Sequence, residues 1–173
     1  MKTSLPVLLA YGSKHGATRE IAERIGKVLR DAGLAVEVKA AKDAGALTGY
    51  RAVVLGSGLY VGAWVKDAAN FLKKRADELA GLPVWLFSSG PTGAGDPAEL
   101  LDGKVFPAKL AEARDRAQPR DSVLFHGAID PVKLNFLEKH AIRMVDAPVG
   151  DYRDWDTIEA WARGIAEELK REA

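Results

Sequence analysis

Two hydrophobic periods alternate along the chain. Residues 5–11, Leu-Pro-Val-Leu-Leu-Ala-Tyr, form a continuous apolar run, and from 17 to 32 Ile21, Ala22, Ile25, Val28 and Leu29 recur at three- and four-residue spacing. The pattern predicts a first strand and then an amphipathic helix closed by Gly33. Residues 35–39, Ala-Val-Glu-Val-Lys, alternate apolar and charged side chains. That is the pattern of a strand with one solvated face, as at a sheet edge. Residues 52–56, Ala-Val-Val-Leu-Gly, and 84–87, Val-Trp-Leu-Phe, are apolar throughout. These strands, like the first, read as buried on both faces, the mark of a parallel sheet between helix layers. A helix is predicted over 63–79, with Trp64, Ala68, Phe71, Leu72 and Leu79 as its inner stripe, and a fifth strand over 123–127. A last helix is predicted over 156–170, with Ile158, Trp161, Ala162, Ile165 and Leu169 on one face. Asp156 and Glu159 stand at capping-box spacing at its start.

Five strands alternating with helices predict an α/β doubly wound domain, a five-stranded parallel sheet with helices on both faces. The edge character of the second strand selects the order 2-1-3-4-5. Ligands in such a sheet bind at the carboxyl ends of the strands, at the switch point between strands one and three. The whole chain, 1–173, reads as one domain, and two segments exceed a minimal five-stranded unit: 91–121 and 129–153.

Composition narrows the function classes. The 173 residues carry a net charge of +1, which argues against a nucleic-acid binder built on bulk charge. With 47% hydrophobic residues the chain is not of the disordered class. Cysteine is absent, which excludes disulfides, thiolate catalysis and cysteine-held iron–sulfur clusters. The start, Met1-Lys2-Thr3-Ser4, leads straight into the first strand and reads as no signal peptide. No apolar run approaches the roughly 18–20 residues of a membrane span. A cytoplasmic protein is the expectation.

Three strand ends are rich in glycine and hydroxyls. The first is Ser13-Lys14-His15-Gly16-Ala17-Thr18, the second Ser57-Gly58-Leu59-Tyr60-Val61-Gly62 and the third Ser88-Ser89-Gly90-Pro91-Thr92-Gly93. Topology brings all three to one rim. The first joins a strand to a helix start, where free backbone N–H groups and the helix dipole suit an anion such as a phosphate. Ser13 and Thr18 add hydroxyl donors, and Gly16 lets the backbone approach closely. The plain alternative is a well-capped turn with no ligand. In the second segment Tyr60 offers a surface for a flat heteroaromatic ligand. Trp64 offers another, although it is also in phase with the core residues Ala68 and Leu72. A nicotinamide-type Gly-x-Gly-x-x-Gly, an NTPase Gly-x-x-x-x-Gly-Lys-Ser/Thr and a hydrolase Gly-x-Ser-x-Gly are all missing. The ends of strands one and three lack the acids of a phospho-receiver. His15, His126 and His140 show no metal-ligand spacing, and no catalytic residue stands out.

On these residues the chain resembles a flavodoxin. That family's phosphate loop approximates Ser/Thr-x-Thr-Gly-x-Thr, against Ser13-Lys14-His15-Gly16-Ala17-Thr18 here, with His15 where a hydroxyl is usual. The chain is also similar to the menaquinone-dependent, oxygen-independent protoporphyrinogen oxidases, a flavodoxin-like branch. The shared features are the Ser-x-x-Gly-x-Thr loop, the stretch from Gly56 to Lys74 with Tyr60-Val61-Gly62, Phe125-His126-Gly127-Ala128, an insert after it, and Asp154-Trp155 leading the last helix. The insert 129–153 departs from that branch in having fewer Arg and Tyr. The resemblance implies FMN, its phosphate held by 13–18 and its isoalloxazine flanked by 57–62 and 88–93. It implies an oxidoreductase passing electrons from a reduced substrate, such as a porphyrinogen, to a quinone. The competing reading is a non-catalytic electron carrier docking on redox partner proteins. Carriers of that kind are usually strongly acidic, for steering.

Residues 131–145 read as a further helix. Leu134, Leu137, Ala141, Met144 and Val145 share one face, while Lys133, Lys139, His140 and Arg143 gather on the other. The expectation is an apolar face packed on the domain and a basic face outward. That face would suit peripheral contact with the inner surface of a membrane, or simply solvent over the sheet edge.

Overall fold

The computed structural model describes residues 4–173; Met1 to Thr3, part of the start read above, lie outside the described residues. In chain order the elements are β1 (Val7–Gly12), α1 (Ala17–Asp31), β2 (Val36–Ala40), β3 (Ala52–Tyr60), β4 (Ala63–Trp64) and α2 (Lys66–Leu79). After them come β5 (Val84–Ser89), α3 (Pro97–Leu100), α4 (Ala111–Ala117), β6 (Asp121–Phe125) and β7 (Ala128–Ile129). The chain ends with α5 (Phe136–Met144), β8 (Gly150–Asp151) and α6 (Trp155–Arg171).

Five parallel strands run in the order β2-β1-β3-β5-β6, with β4 paired antiparallel to β3. This is the expected order once the short hairpin arm β4 is counted. The continuous apolar runs follow from burial on both faces. Successive side chains of a strand point to opposite sides. Leu8, Ala10, Val53, Leu55, Val84 and Leu86 join one core with α2 and α4, while Val7, Leu9, Val54, Trp85 and Phe87 join the other with α1 and α6. β2 lies at the edge, and its charged positions remain open to solvent. At Gly56 a side chain would overlap the Phe87 ring, so this glycine lets the aromatic lie across the sheet.

Four local expectations change. β3 runs on to Tyr60 and turns back through Val61 (φ 50°) and Gly62 (φ 73°) into β4. Positive φ at both central residues is the condition of a hairpin turn. It takes residues 63 and 64 out of the predicted helix, and α2 starts at Lys66. β6 begins two residues earlier than predicted, because Trp85 pairs Asp121. α6 is capped by Asp154, whose carboxylate accepts the Thr157 N–H at 3.1 Å, so the cap lies two residues before Asp156. The helix 131–145 is shorter, and its apolar face is not packed on the domain. Residues 131–133 form a single 3-10 turn, Asn135 caps α5, and the partly buried positions are Leu134, Glu138 and Ile142. Phe136, Leu137, Met144 and Val145 are exposed. Periodicity defines two faces of a helix but not which one meets the domain. Here Glu138 does, because His15 draws it in.

Candidate functional site

The carboxyl ends of β1, β3 and β5 bring the three glycine- and hydroxyl-rich segments to one rim, and hydrogen bonds brace them, the second being tied to the third through Trp64 two residues beyond it. Thr18 Oγ1 and Ser89 Oγ, both buried, lie 2.9 Å apart and tie the first segment to the third. The Lys14 N–H donates to the Tyr60 hydroxyl at 3.3 Å, tying the first to the second. Trp64 Nε1 donates to Ser88 Oγ at 2.8 Å, tying the second to the third. The rim is therefore a braced frame, built from most of the residues that the sequence pointed to.

The first segment has the electrostatics of an anion site. Gly16 sits at the N-cap of α1 with φ 96°, a left-handed conformation that disfavours any side chain. Its N–H donates to Ser13 Oγ at 3.0 Å, which shapes the turn. No side chain caps α1, and the helix's first backbone bond runs from the Glu20 N–H to Gly16 O at 3.0 Å. The N–H groups of Ala17, Thr18 and Arg19 thus precede the helical ladder. They carry the positive end of the helix dipole. Lys14 adds a full charge, its ammonium 4.7 Å from the Tyr60 ring centre.

The hydroxyls serve the frame. Ser57 Oγ is fully buried; it accepts the Val65 N–H and donates to Gly58 O, both at 2.9 Å, and so pins the hairpin to the start of α2. Thr18, expected to offer its hydroxyl to an anion, uses it on Ser89. Tyr60 is half-buried at the rim. Burial pushes its hydroxyl pKa up, the Lys14 N–H opposes this, and the charge of Glu138 adds to it. Trp64, for which the sequence allowed two roles, is a core residue. It is buried and lies edge-on to Phe106 with ring centres 5.3 Å apart. Leu59, Val61 and Gly62 complete the hairpin, Val61 standing fully exposed at its tip.

The third segment is held by the chain that follows β6 and touched by the insert at one point. Pro91, Thr92 and Gly93 are buried. The Gly127 N–H donates to Pro91 O at 2.9 Å, and Pro148 packs against Gly93. α5 is tethered to the first segment instead: His15 Nε2 and Glu138 Oε2 lie 2.5 Å apart, and Lys133 Nζ donates to His15 O at 3.3 Å. Glu138 escaped sequence reasoning because a lone acid on an amphipathic helix carries no signal. Arg153 escaped it too. Only 10% exposed, its side chain binds Asp151, Glu20 and Ala17 O, so that β8 is clasped to the start of α1. Trp155 lies beside it, with Arg153 Cζ and Arg24 Cζ each 4.7 Å from its ring centre. A separate cleft at the end of β6, lined by Asp96, Leu124, His126, Asp154 and Thr157, adjoins the rim but holds none of the three segments.

The arrangement fits FMN at its phosphate end: an uncapped α1 start, a left-handed glycine that no side chain could replace without strain, and on the same loop Lys14, whose ammonium lies over the Tyr60 ring. The aromatic face of Tyr60 and the backbone of 88–93 lie on the same rim. No helix among the described residues is long and apolar enough to cross a membrane.

Comparison with known proteins agrees with this geometry. A family model described as a flavodoxin domain matches residues 8–156. No curated protein matches the chain in sequence. Among solved structures, a flavodoxin from Pseudomonas aeruginosa superposes with a TM-score of 0.59 at 16% identity, covering 95% of this chain and 99% of that one. A metal-soaked flavodiiron core from Synechocystis gives a TM-score of 0.62 at 17% identity, covering 99% of this chain and 38% of that one. A rubredoxin:oxygen oxidoreductase from Desulfovibrio gigas gives 0.58 at 19% identity, covering 98% of this chain and 37% of that one. The chain thus spans little more than a third of the two larger proteins, and the likeness is one of fold. Sheet order, rim and family match together establish that the chain belongs to the flavodoxin family.

Proposed function

We propose that this chain binds FMN at the braced rim and works in electron transfer. FMN is the cofactor of flavodoxins. The observation that carries the reading for this chain is the uncapped start of α1, with Gly16 and Lys14 beside it. The first-turn N–H groups of Ala17, Thr18 and Arg19 and the Lys14 ammonium would hold the phosphate. Tyr60 and the backbone of 57–62 and 88–93 would flank the isoalloxazine. The flavin supplies the redox chemistry when bound; the protein orients it and sets its surroundings. Thr18–Ser89, Lys14–Tyr60 and Trp64–Ser88 keep the three loops in register, so little ordering is left to the moment of binding.

Within that function we favour an oxidoreductase that takes electrons from a reduced substrate, such as protoporphyrinogen, and passes them to a quinone. Two observations support it over a carrier that docks on redox proteins. The net charge of +1 gives no acidic field for steering. The insert sets Pro148 against Gly93 and reaches the phosphate loop through Glu138, contacts that a minimal carrier does not need. The visible spectrum of the purified protein, with chromatography of the extracted flavin, tests the cofactor. Quinone-dependent oxidation of protoporphyrinogen tests the enzyme. Bound FMN without that activity would return the protein to the carrier class.

A further inference from the structure

The outward face of α5 has no partner. Phe136, Leu137 and Met144 are 81%, 76% and 74% exposed, and no residue of the helix is buried. Val132, Val145 and Val149 extend the apolar surface on either side. A run of large exposed side chains of this kind is costly in water and marks a contact surface. The charges are sorted as well. The only acid of the helix, Glu138, is turned inward onto His15, while Lys139, His140 and Arg143 are exposed. Lys139 and Arg143 have no ion-pair partner among the described residues. Asp130 caps the preceding turn, and Asp146 lies beyond the helix end.

We propose that α5 is a membrane-contact helix that lies in the interface of an anionic bilayer, Phe136, Leu137 and Met144 entering the acyl boundary and Lys139 and Arg143 meeting the lipid phosphates. A bilayer is the favoured partner because the apolar residues stand on a projecting helix rather than in a groove. The outward charges complement an anionic surface. An interfacial helix has this form, with apolar side chains on one aspect and Lys or Arg at its border. The tether to the phosphate loop then fixes the rim beside the bilayer, where a lipid-soluble acceptor dissolves. The sequence pattern placed the apolar face against the domain; the structure leaves Leu137, Met144 and Val145 outward.

Co-sedimentation with phosphatidylcholine vesicles, with and without one-third phosphatidylglycerol, tests the proposal. It reads the polypeptide and so is independent of the flavin. Wild type should pellet with the anionic vesicles at low salt and only weakly with the neutral ones. Lys139→Gln with Arg143→Gln should weaken binding about 25-fold, at roughly fivefold for each charge near an anionic leaflet. Leu137→Ser with Met144→Ser should weaken it at least about tenfold, through loss of apolar insertion. Both pairs are exposed, so melting temperatures should not move. Wild type remaining in the supernatant would overturn the proposal and return the face to a protein partner. Equal binding of the serine pair would overturn insertion. Sedimentation velocity without vesicles should show a monomer; a dimer that the serine pair dissolves would assign the face to a second copy.

Discussion

Thr18 and Ser89 decide whether the rim is a braced frame or a set of independent ligand contacts. Thr18→Val keeps the shape of the side chain and removes its hydroxyl, which strands Ser89 Oγ in a buried position 2.9 Å from where its partner stood. A buried polar group left without a partner costs about 1–3 kcal/mol. For a domain of this size that lowers the melting temperature by roughly 2–12 °C. Ser89→Ala strands the Thr18 hydroxyl and should cost a similar amount. The double variant strands neither group, so its cost should fall short of the sum by about 1 kcal/mol or more. Urea melts of the four apoproteins measure the cycle, and FMN and riboflavin titrations run alongside. Strictly additive costs would refute the tie. So would a Thr18→Val protein of unchanged stability that no longer prefers FMN to riboflavin, since the hydroxyl would then be a phosphate ligand.

Glu138→Gln removes a carboxylate beside the proposed phosphate loop; FMN should bind about two- to fivefold more tightly with riboflavin unchanged, by relief of like-charge repulsion. Equal gains for both ligands would mean that α5 gates entry instead. Trp64→Ala should destabilise the apoprotein by about 3–5 kcal/mol, as a large-to-small core change. Tyr60→Ala, which loses one rim hydrogen bond, should cost clearly less stability than Trp64→Ala and weaken flavin binding; equal destabilisation of the two apoproteins would contradict Tyr60 as a ligand contact. Arg153 hydrogen bonds hold the Asp151 carboxyl below the usual carboxylate range. Its stabilisation is therefore present above the unfolded-state pKa and is lost as pH falls through the depressed folded value. Asp151→Asn should flatten acid-induced loss of stability in that window, and an unchanged acid limb in pH-dependent melts would show the clasp to be idle.

The sheet and its order were legible because burial on both faces writes an unbroken apolar run, as at 52–55 and 84–87, while the edge strand writes the alternation of 35–39. Convergence of the loops followed from topology alone. What the three segments do with their hydroxyls did not, because a serine that binds a ligand and one that holds a loop look alike. Ser57, Ser88, Ser89 and Thr18 all make bonds within the frame. The hairpin was hidden because Val61-Gly62 lacks the Asn-Gly or Asp-Gly of a usual two-residue turn and places a β-branched residue at φ 50°. The orientation of α5 was hidden because its hydrophobic face is not its buried face. Contacts of His15 with Glu138 and Lys133, more than a hundred residues away in the chain, accompany that orientation.

Titration of the apoprotein with FMN and with riboflavin is the sharpest test of 13–18 as the proposed phosphate site. The two ligands differ only in the phosphate. Two or more charge-assisted hydrogen bonds from the start of α1, at about 1.5–3 kcal/mol each, predict an FMN preference of at least about a hundredfold. Charge reversal in Lys14→Glu should erase much of that preference without altering riboflavin binding. Equal affinity of the wild-type protein for FMN and riboflavin would mean that 13–18 holds no phosphate.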